Sequence, residues 1–203
     1  MKQRTDLVPD YTSANHLKHT HPNPLFRRMI AGFNAELLAL VDQAAPASVL
    51  EIGCGEGFVL RYLAERRPGI RWTGLDLSAP AIGYARALCP SSVMLGVGSI
   101  YCLPMPPAAF DLVVCSEVLE HLADVPAALV ELQRVSRSHV LITAPREPCF
   151  RILARLAVWL RLGRDPGHVQ FWTAGSFRRL LRQHFRAVTI VYSSQYQLAL
   201  GHC

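Results

Sequence analysis

The chain has 203 residues, of which 51% are hydrophobic and 18% charged, so it can bury one sizeable core. This composition excludes an intrinsically disordered protein, and no stretch approaches the roughly 20 uninterrupted apolar residues of a membrane span. The net charge is +6, and residues 146–186 carry nine arginines against two acidic residues, Glu147 and Asp165. That region could attract an anionic substrate, a membrane surface or nucleic acid, although arginines on helices usually form a solvated face.

The N-terminal region is predicted to be an arm and a cap. Residues 1–23 are polar, and they lack the apolar segment of a secretory signal. The six cysteines show neither CxxC spacing nor a regular framework, so we expect reduced thiols and a cytoplasmic protein. Helix-like spacing of apolar residues then predicts a helix over about 25–41 that caps the sheet formed by the rest of the chain.

After about residue 46, short apolar runs alternate with amphipathic segments, which is typical of βαβ units. The runs VLEI and DLVVC are apolar almost throughout, as expected for strands covered on both faces of a parallel sheet. A short pattern after Tyr192 predicts a final antiparallel strand. The predicted strands span residues 48–52, 71–75, 93–97, 110–115, 139–143 and 187–192, and the predicted helices span residues 56–67, 80–88, 126–136 and 173–184.

One further apolar helix is predicted over 150–162, between the fifth and sixth strands, where it would lie as a lid over the carboxyl edge of the sheet. The fold class is therefore α/β, a Rossmann-like doubly wound sheet, mostly parallel with a final antiparallel strand and an N-terminal helical cap. We divide the chain into an arm and cap helix over 1–45 and a domain over 46–203, with the lid inserted at about 148–163.

The segment VLEIGCGEG is a predicted strand that runs into a glycine-rich turn and then a helix. Gly53, Gly55 and Gly57 lack side chains that would keep a ligand away from the backbone. Such turns also bind dinucleotides, but that fingerprint requires a small residue where this chain has Phe58. Glu51, beside the turn, would repel a diphosphate and attract a cation, so the sequence favours a positively charged ligand.

The next predicted strand ends in the segment TGLDLS, which places Asp76 about 20 residues beyond the glycines. A carboxylate at this position can accept hydrogen bonds from both hydroxyls of a ribose. Capping of the following helix falls more naturally to Ser78, directly before Ala79 and Pro80. Asp76 is therefore predicted to bind the ligand.

Taken together, these motifs resemble those of a class I S-adenosylmethionine-dependent methyltransferase of the small-molecule group, similar to methyltransferase type 11. VLEIGCGEG is similar to the family's first motif and GLDLS to its second. GSIYCLPMPPAAFDLVVCSEVLEHL is similar to the loop after the third strand with the fourth strand, and HVLITAPRE to the fifth strand. The resemblance covers residues 48 to about 192. It implies a seven-stranded sheet, S-adenosylmethionine as cofactor and methyl transfer to a small-molecule acceptor.

The resemblance also implies roles for single residues. Those expected around the methionine part of the cofactor and at the start of the next helix are Glu51, Gly53, Gly55 and Gly57. Those expected around the ribose and the adenine are Asp76, Leu77, Ser99 and the Ile100 backbone. Ser99 stands where the family commonly has an aspartate, which removes a charge-assisted hydrogen bond. The predicted cofactor-binding set is completed by Cys54, Cys115 and Glu117.

The methyl group of a sulfonium is already activated, so the protein mainly aligns the acceptor and excludes water. A general base helps only when the acceptor must lose a proton, as a hydroxyl does. The candidates are His121, in the EVLEH segment, and His168, before Phe171 and Trp172; each could instead be structural. If the EVLEH segment is a helical turn, Glu117 and Glu120 share a face with His121.

No metal site is predicted, because three histidines in the N-terminal arm, His16, His19 and His21, lack a fourth ligand and supporting structure. For the acceptor, Arg146 and its neighbours Arg151 and Arg155 could bind a carboxylate or a phosphate. The apolar insert resembles an interfacial segment, so peripheral membrane contact stays open. We hypothesise an amphiphilic or anionic small molecule as acceptor.

Three alternatives compete with a small-molecule methyltransferase. An RNA methyltransferase is disfavoured because the chain has neither an appended RNA-binding module nor an NPPY-like motif, so a nucleic-acid partner is not expected. A nicotinamide-dependent oxidoreductase is disfavoured by Glu51 and Phe58. A non-catalytic nucleoside-binding domain stays open, because fold does not fix function. The sequence specifies neither the oligomeric state nor the methylated atom.

Overall fold

The computed structural model describes residues 14–148 and 167–203. The helices in these ranges are α1 (Ala14–His19), α2 (Pro24–Ala44), α3 (Phe58–Arg66), α4 (Ala79–Leu88), α5 (Val125–Val135) and α6 (Ala174–His184). The strands are β1 (Ser48–Ile52), β2 (Arg71–Asp76), β3 (Met94–Val97), β4 (Phe110–Ser116), β5 (Ser136–Pro145), β6 (Ala187–Ser193) and β7 (Tyr196–His202). A short 3-10 turn spans Leu119–His121.

The strands form one seven-stranded sheet in the order β3-β2-β1-β4-β5-β7-β6. Strands β1 to β5 pair in parallel, while β7 runs antiparallel to both β5 and β6. This topology confirms the predicted fold class, including the antiparallel last strand. The chain crosses from β3 back past β1 to β4, so the carboxyl ends of β1 and β4 flank the crevice in which open α/β sheets bind ligands.

The helices cover both faces of the sheet. On one face, α2, α3 and α4 contribute Leu37, Leu60 and Ile82 to a core cluster that contains Val49. On the other face, α5 and α6 contribute residues such as Phe177 to a second cluster. Because both faces are covered, β1 is buried along its whole length, which explains why the inner strands are apolar without alternation.

Local signals set most helix boundaries. At the N-termini of α2, α4, α5 and α6, a capping side chain accepts a hydrogen bond from a backbone amide in the first turn; these residues are Asn23, Ser78, Asp124 and Thr173. Helix α3 begins at Phe58, later than the predicted residue 56, because Gly57 adopts the left-handed region at φ 82°. Strand β5 begins at Ser136, earlier than the predicted residue 139, directly after α5.

Within the predicted polar arm over residues 1–23, residues 14–19 form α1, a helix that the sequence did not predict. The side chains of this helix find partners on the body of the protein. Asn15 donates a hydrogen bond to Glu56, next to the glycine-rich turn, and the ring of His19 stacks on Phe58 with centroids 4.8 Å apart. Helix α1 therefore lies against the turn that was predicted to hold a ligand.

The predicted lid helix over 150–162 lies outside the described residues, as do Arg151 and Arg155. Within the described ranges, no helix combines the length and the apolar character that crossing a bilayer requires.

Candidate active site

The glycine-rich turn after β1 needs glycine for its backbone shape. Gly53 and Gly57 have φ of 75° and 82°, in the left-handed region that strains other residues. There is also no room for a side chain, because a Cβ on Gly53 would lie 2.3 Å from Cγ2 of Val118. The Gly53 and Cys54 amides both donate to the Leu75 carbonyl, at 2.7 and 3.1 Å, which holds the turn against the end of β2.

Asp76 ties the two predicted ligand segments together. One carboxylate oxygen accepts a hydrogen bond from the Gly55 amide at 2.8 Å, and the other accepts one from the Ser78 amide at 2.8 Å. Each oxygen has a second lone pair, so the carboxylate can still accept ribose hydroxyls. Ser78 accepts from the Ala81 amide at 3.3 Å and caps α4, as predicted.

Glu51 lies near the end of β1, before the glycine-rich turn, and is almost completely buried, at 2% exposure. Its Oε2 atom has no hydrogen-bond partner among the described residues. Burial, followed by the neighbouring charge of Asp76, raises the pKa of Glu51 to about 8. A buried carboxylate with an unpartnered oxygen is costly unless a cation reaches it, so the site fits a ligand that carries an ammonium group.

The predicted adenine-side residues follow the ends of β2 and β3. Leu77 is 76% exposed, so its apolar surface is open to an aromatic ring. The hydroxyl of Ser99 accepts a hydrogen bond from the Tyr101 amide at 3.3 Å, and Ile100 is buried beside it. These positions fit the nucleoside part of the cofactor, and their roles stay predictions.

Two predicted cofactor residues are core thiols. Cys54 and Cys115 are buried, and burial raises the pKa of both thiols. Cys115 packs with Leu50 and Val113 in the core between the sheet and α5. The structure thus gives the Cys115 side chain a packing role, and a contact with the cofactor stays a prediction for both cysteines.

Glu117 is held at the carboxyl end of β4 in a left-handed conformation, with φ of 55°. Its carboxylate forms an ion pair with Lys18 of α1, and the side chains of the two residues are 23% and 16% exposed. The Lys18 ammonium also lies 4.9 Å from the ring centre of Tyr196. Although burial opposes the charge, Glu117 raises the pKa of Lys18 above its usual value.

Lys18 was missed by the sequence analysis, because a short polar helix carries no apolar periodicity to reveal it. Its ion pair brings α1 into contact with the same edge of the sheet as the glycine-rich turn.

The structure brings the two predicted general bases together. The rings of His121 and His168 meet edge to face, with centroids 4.9 Å apart. The helical turn expected over the EVLEH segment is shorter than predicted. Only Leu119–His121 form a 3-10 turn, and Glu117, which precedes it, has a left-handed backbone conformation. Glu120 consequently turns inward and is 1% exposed, whereas His121 is exposed.

Glu120 is the second buried carboxyl group of the site. Neither of its carboxylate oxygens has a hydrogen-bond partner within the part of the chain that the structure describes. Burial, followed by the charge of Glu117, raises the pKa of Glu120 to about 8. The sequence placed Glu120 on a face shared with His121 but did not predict its burial, since burial within a 3-10 turn leaves no trace in the pattern.

Arg146, a predicted acceptor ligand, follows β5 directly. Its guanidinium donates a hydrogen bond to the Ser194 carbonyl at 3.1 Å and lies 5.2 Å from the ring centre of Tyr192. This arginine therefore supports the turn between β6 and β7 at the edge of the site, and binding of the acceptor stays a prediction.

The sheet order, the glycine-rich turn after β1 and the acid after β2 together define a Rossmann-like methyltransferase fold. A family model described as a methyltransferase domain matches residues 25–184, most of the chain. The chain belongs to this family, which confirms the resemblance to the class I S-adenosylmethionine-dependent methyltransferases.

Named relatives agree with this assignment. Ajmaline N-methyltransferase of Rauvolfia serpentina is 29% identical over 152 residues, 66% of this chain and 52% of that protein. Malonyl-[acyl-carrier protein] O-methyltransferase of Serratia marcescens is 38% identical over 101 residues, 50% of this chain and 38% of that protein. The chain thus spans about half or less of these curated relatives.

A solved structure supports the fold. Magnesium protoporphyrin IX methyltransferase of Synechocystis PCC 6803, solved with bound SAH, superposes with a TM-score of 0.66 at 15% identity. The match covers 89% of this chain and 87% of that one.

Proposed function

We propose that this chain transfers a methyl group from S-adenosylmethionine to a small-molecule acceptor that is amphiphilic or anionic. The observation that carries the proposal is Glu51, a buried carboxyl group just before the glycine-rich turn, with one oxygen that has no hydrogen-bond partner among the described residues. In its ionised form this carboxyl group repels a diphosphate and attracts the ammonium and the sulfonium of this cofactor. When bound, the cofactor supplies an activated methyl group on a positively charged sulfur.

The residues of the chain then hold and orient the reactants. Gly53 and Gly55 let the ligand approach the backbone, and Glu51 pairs with its ammonium. The Asp76 carboxylate accepts hydrogen bonds from the ribose hydroxyls, and the exposed Leu77 packs on the adenine. Helix α1 covers the turn, so it excludes water from the reacting groups.

The histidine pair serves the acceptor. If the acceptor is a hydroxyl compound, His121 or His168 accepts its proton as the methyl group is transferred. One relative is named an N-methyltransferase and another an O-methyltransferase, so the proposal does not fix the methylated atom. An anionic or amphiphilic acceptor is supported by the positive charge of residues 146–186. A cytoplasmic location and peripheral membrane contact stay predictions.

Incubation of the full chain with methyl-labelled S-adenosylmethionine and fractionated metabolite extracts tests the proposal. We expect label in a small molecule and formation of S-adenosylhomocysteine, both reduced at least about tenfold by Asp76→Ala. Glu65→Gln is the matched control, because this glutamate lies on the surface of α3 in an exposed ion pair with Arg61. Binding of the cofactor without conversion in any extract would favour the non-catalytic alternative.

A further inference from the structure

Three side chains with metal-binding groups meet beside the carboxyl end of β4. One ligand atom from each of Glu120, His121 and His168 lies within 4.8 Å of the others. Glu120 is buried, His121 is exposed and His168 lies between these extremes. One fixed ligand in the interior and two nearer the surface form a site that an ion could enter from solvent.

The burial and hydrogen bonding of Glu120 indicate that this cluster binds a ligand. Glu120 is 1% exposed, and both of its carboxylate oxygens lack a hydrogen-bond partner in the described ranges. Buried carboxyl groups are ordinarily hydrogen-bonded, paired with a cation or coordinated to a metal. Lys18, whose charge acts on Glu120, is already paired with Glu117.

The two histidines are held next to Glu120 by the backbone. The amides of Val169 and Gln170 both donate to the Glu120 carbonyl, at 2.8 and 3.0 Å. The Gln170 side chain donates to the Leu122 carbonyl at 3.1 Å. The loop that carries His168 is therefore tied to the 3-10 turn that carries His121, before any ion binds.

The hydrogen bonding of His121 also suits a metal ligand. Its Nδ1 atom lies 3.4 Å from the Gly167 carbonyl oxygen. Because a carbonyl oxygen only accepts, Nδ1 is the donor in this contact, so Nε2 is the ring nitrogen left to bind an ion. Histidines that bind metals commonly donate their other ring nitrogen to a carbonyl or a carboxylate in this way.

We propose that Glu120, His121 and His168 form a binding site for a divalent transition-metal ion, with zinc as the representative ion. Two imidazole nitrogens and one carboxylate oxygen are a donor set that zinc and its neighbours in the series accept. Ligand atoms around a tetrahedral zinc ion lie roughly 3.3 Å apart. The separations of up to 4.8 Å exceed this distance by about 1.5 Å at most, a difference that small rotations of the two histidine side chains can close. Three protein ligands leave at least one coordination position open. A histidine whose lone pair binds the ion cannot accept a proton, so the general-base role of His121 or His168 belongs to the metal-free protein.

This inference goes beyond methyl transfer, because metal binding is measured without methyl donor or acceptor. Its failure would leave the proposed function standing, and failure of the proposed function would leave the metal site standing.

The test uses the full chain after treatment with EDTA and dialysis, titrated with zinc chloride by calorimetry and with cobalt(II) by visible absorption. The variants are Glu120→Gln, His121→Gln and His168→Gln. His139→Gln is the matched control, because His139 and His202 form a second histidine pair with ring centroids 4.3 Å apart. Thermal melting of each variant without metal verifies that the fold is intact.

We expect one zinc ion to bind per chain and to raise the melting temperature of the unaltered protein. Each of the three substitutions should weaken zinc binding at least about tenfold, and His139→Gln should leave it unchanged. The expected cobalt(II) spectrum is that of a four- or five-coordinate ion with nitrogen and oxygen ligands. Absence of stoichiometric zinc binding, or binding that survives all three substitutions, would overturn the proposal and identify Glu120 as a neutral structural acid.

Discussion

The charge of Glu51 should make binding of S-adenosylmethionine depend on pH below neutrality. Without ligand, burial and then Asp76 raise the pKa of this carboxyl group to about 8, so it is mostly protonated at neutral pH. The cationic cofactor binds the ionised form, and each binding event below pH 8 therefore releases a proton. Glu51→Gln removes the ionisation while keeping nearly the same side-chain volume.

The size of the effect follows from this pKa. About one molecule in a hundred carries ionised Glu51 at pH 6, and about one in ten does so at pH 7. Affinity should consequently rise about tenfold between these two pH values, equivalent to about 1.4 kcal/mol. The affinity is measured only below pH 7.5, because the amino group of the ligand itself loses its proton near pH 8.

Isothermal titration calorimetry at pH 6, 6.5 and 7 measures the affinity, and repetition in two buffers of different ionisation enthalpy counts the protons released. We expect close to one proton per ligand for the unaltered protein and for the surface control Glu65→Gln. Glu51→Gln should give a flatter profile and weaker binding at pH 7. Equal slopes for the unaltered protein and Glu51→Gln would refute the assignment of Glu51 to the cationic ligand.

Four further predictions concern stability and the adenine contact. Because the folded-state pKa of Glu51 lies above its usual value of 4.5, its stabilising contribution is complete below that value and is lost as the pH rises through 8. The free energy of unfolding in urea should thus fall by about 2 kcal/mol or more from pH 5 to 8, relative to Glu51→Gln. Gly53→Ala should lower the free energy of unfolding by about 2 kcal/mol or more, because the added Cβ would lie 2.3 Å from a side chain. At Gly69 an added Cβ has no neighbour within 4 Å, so Gly69→Ala should change the free energy of unfolding by less than about 1 kcal/mol. Lys18→Met breaks a mostly buried ion pair and should lower the free energy of unfolding by about 2 kcal/mol, whereas Arg67→Met breaks an exposed ion pair and should lower it much less. Ser99→Asp should tighten cofactor binding by about 1 kcal/mol in calorimetry, and equal or weaker affinity would count against its place at the adenine.

The sheet could be predicted because its strands carry strong local signals. A strand covered on both faces, such as β1, is mostly apolar, as Val49, Leu50 and Ile52 are, and its end is marked by the glycines of the turn. The start of a helix could also be predicted where a capping residue precedes it, as Ser78 does before α4. Helix α1 was not, since its polar side chains are stabilised by partners far along the chain, as Asn15 is by Glu56.

Site residues could be predicted from the sequence where the shape of the backbone requires one residue type. They could not be predicted where a residue has its role only because it is buried. Glycine at Gly53 and an acid at Asp76 follow from the shape of the turn. The buried state of Glu120 and the ion pair of Lys18 depend on how separate segments pack, which a single sequence does not specify. The nearness of His121 to His168 likewise arises from two loops that are distant in sequence.

The central claim is that the crevice between β1 and β4 recognises a sulfonium nucleoside and not a dinucleotide. Equilibrium binding of the full chain to S-adenosylmethionine and to NAD, measured side by side for the unaltered protein and Asp76→Ala, tests it most directly. We expect one S-adenosylmethionine per chain, at least about tenfold weaker binding in the variant, and no saturable binding of NAD. Saturable NAD binding that Asp76→Ala abolishes, with none for S-adenosylmethionine, would contradict the account.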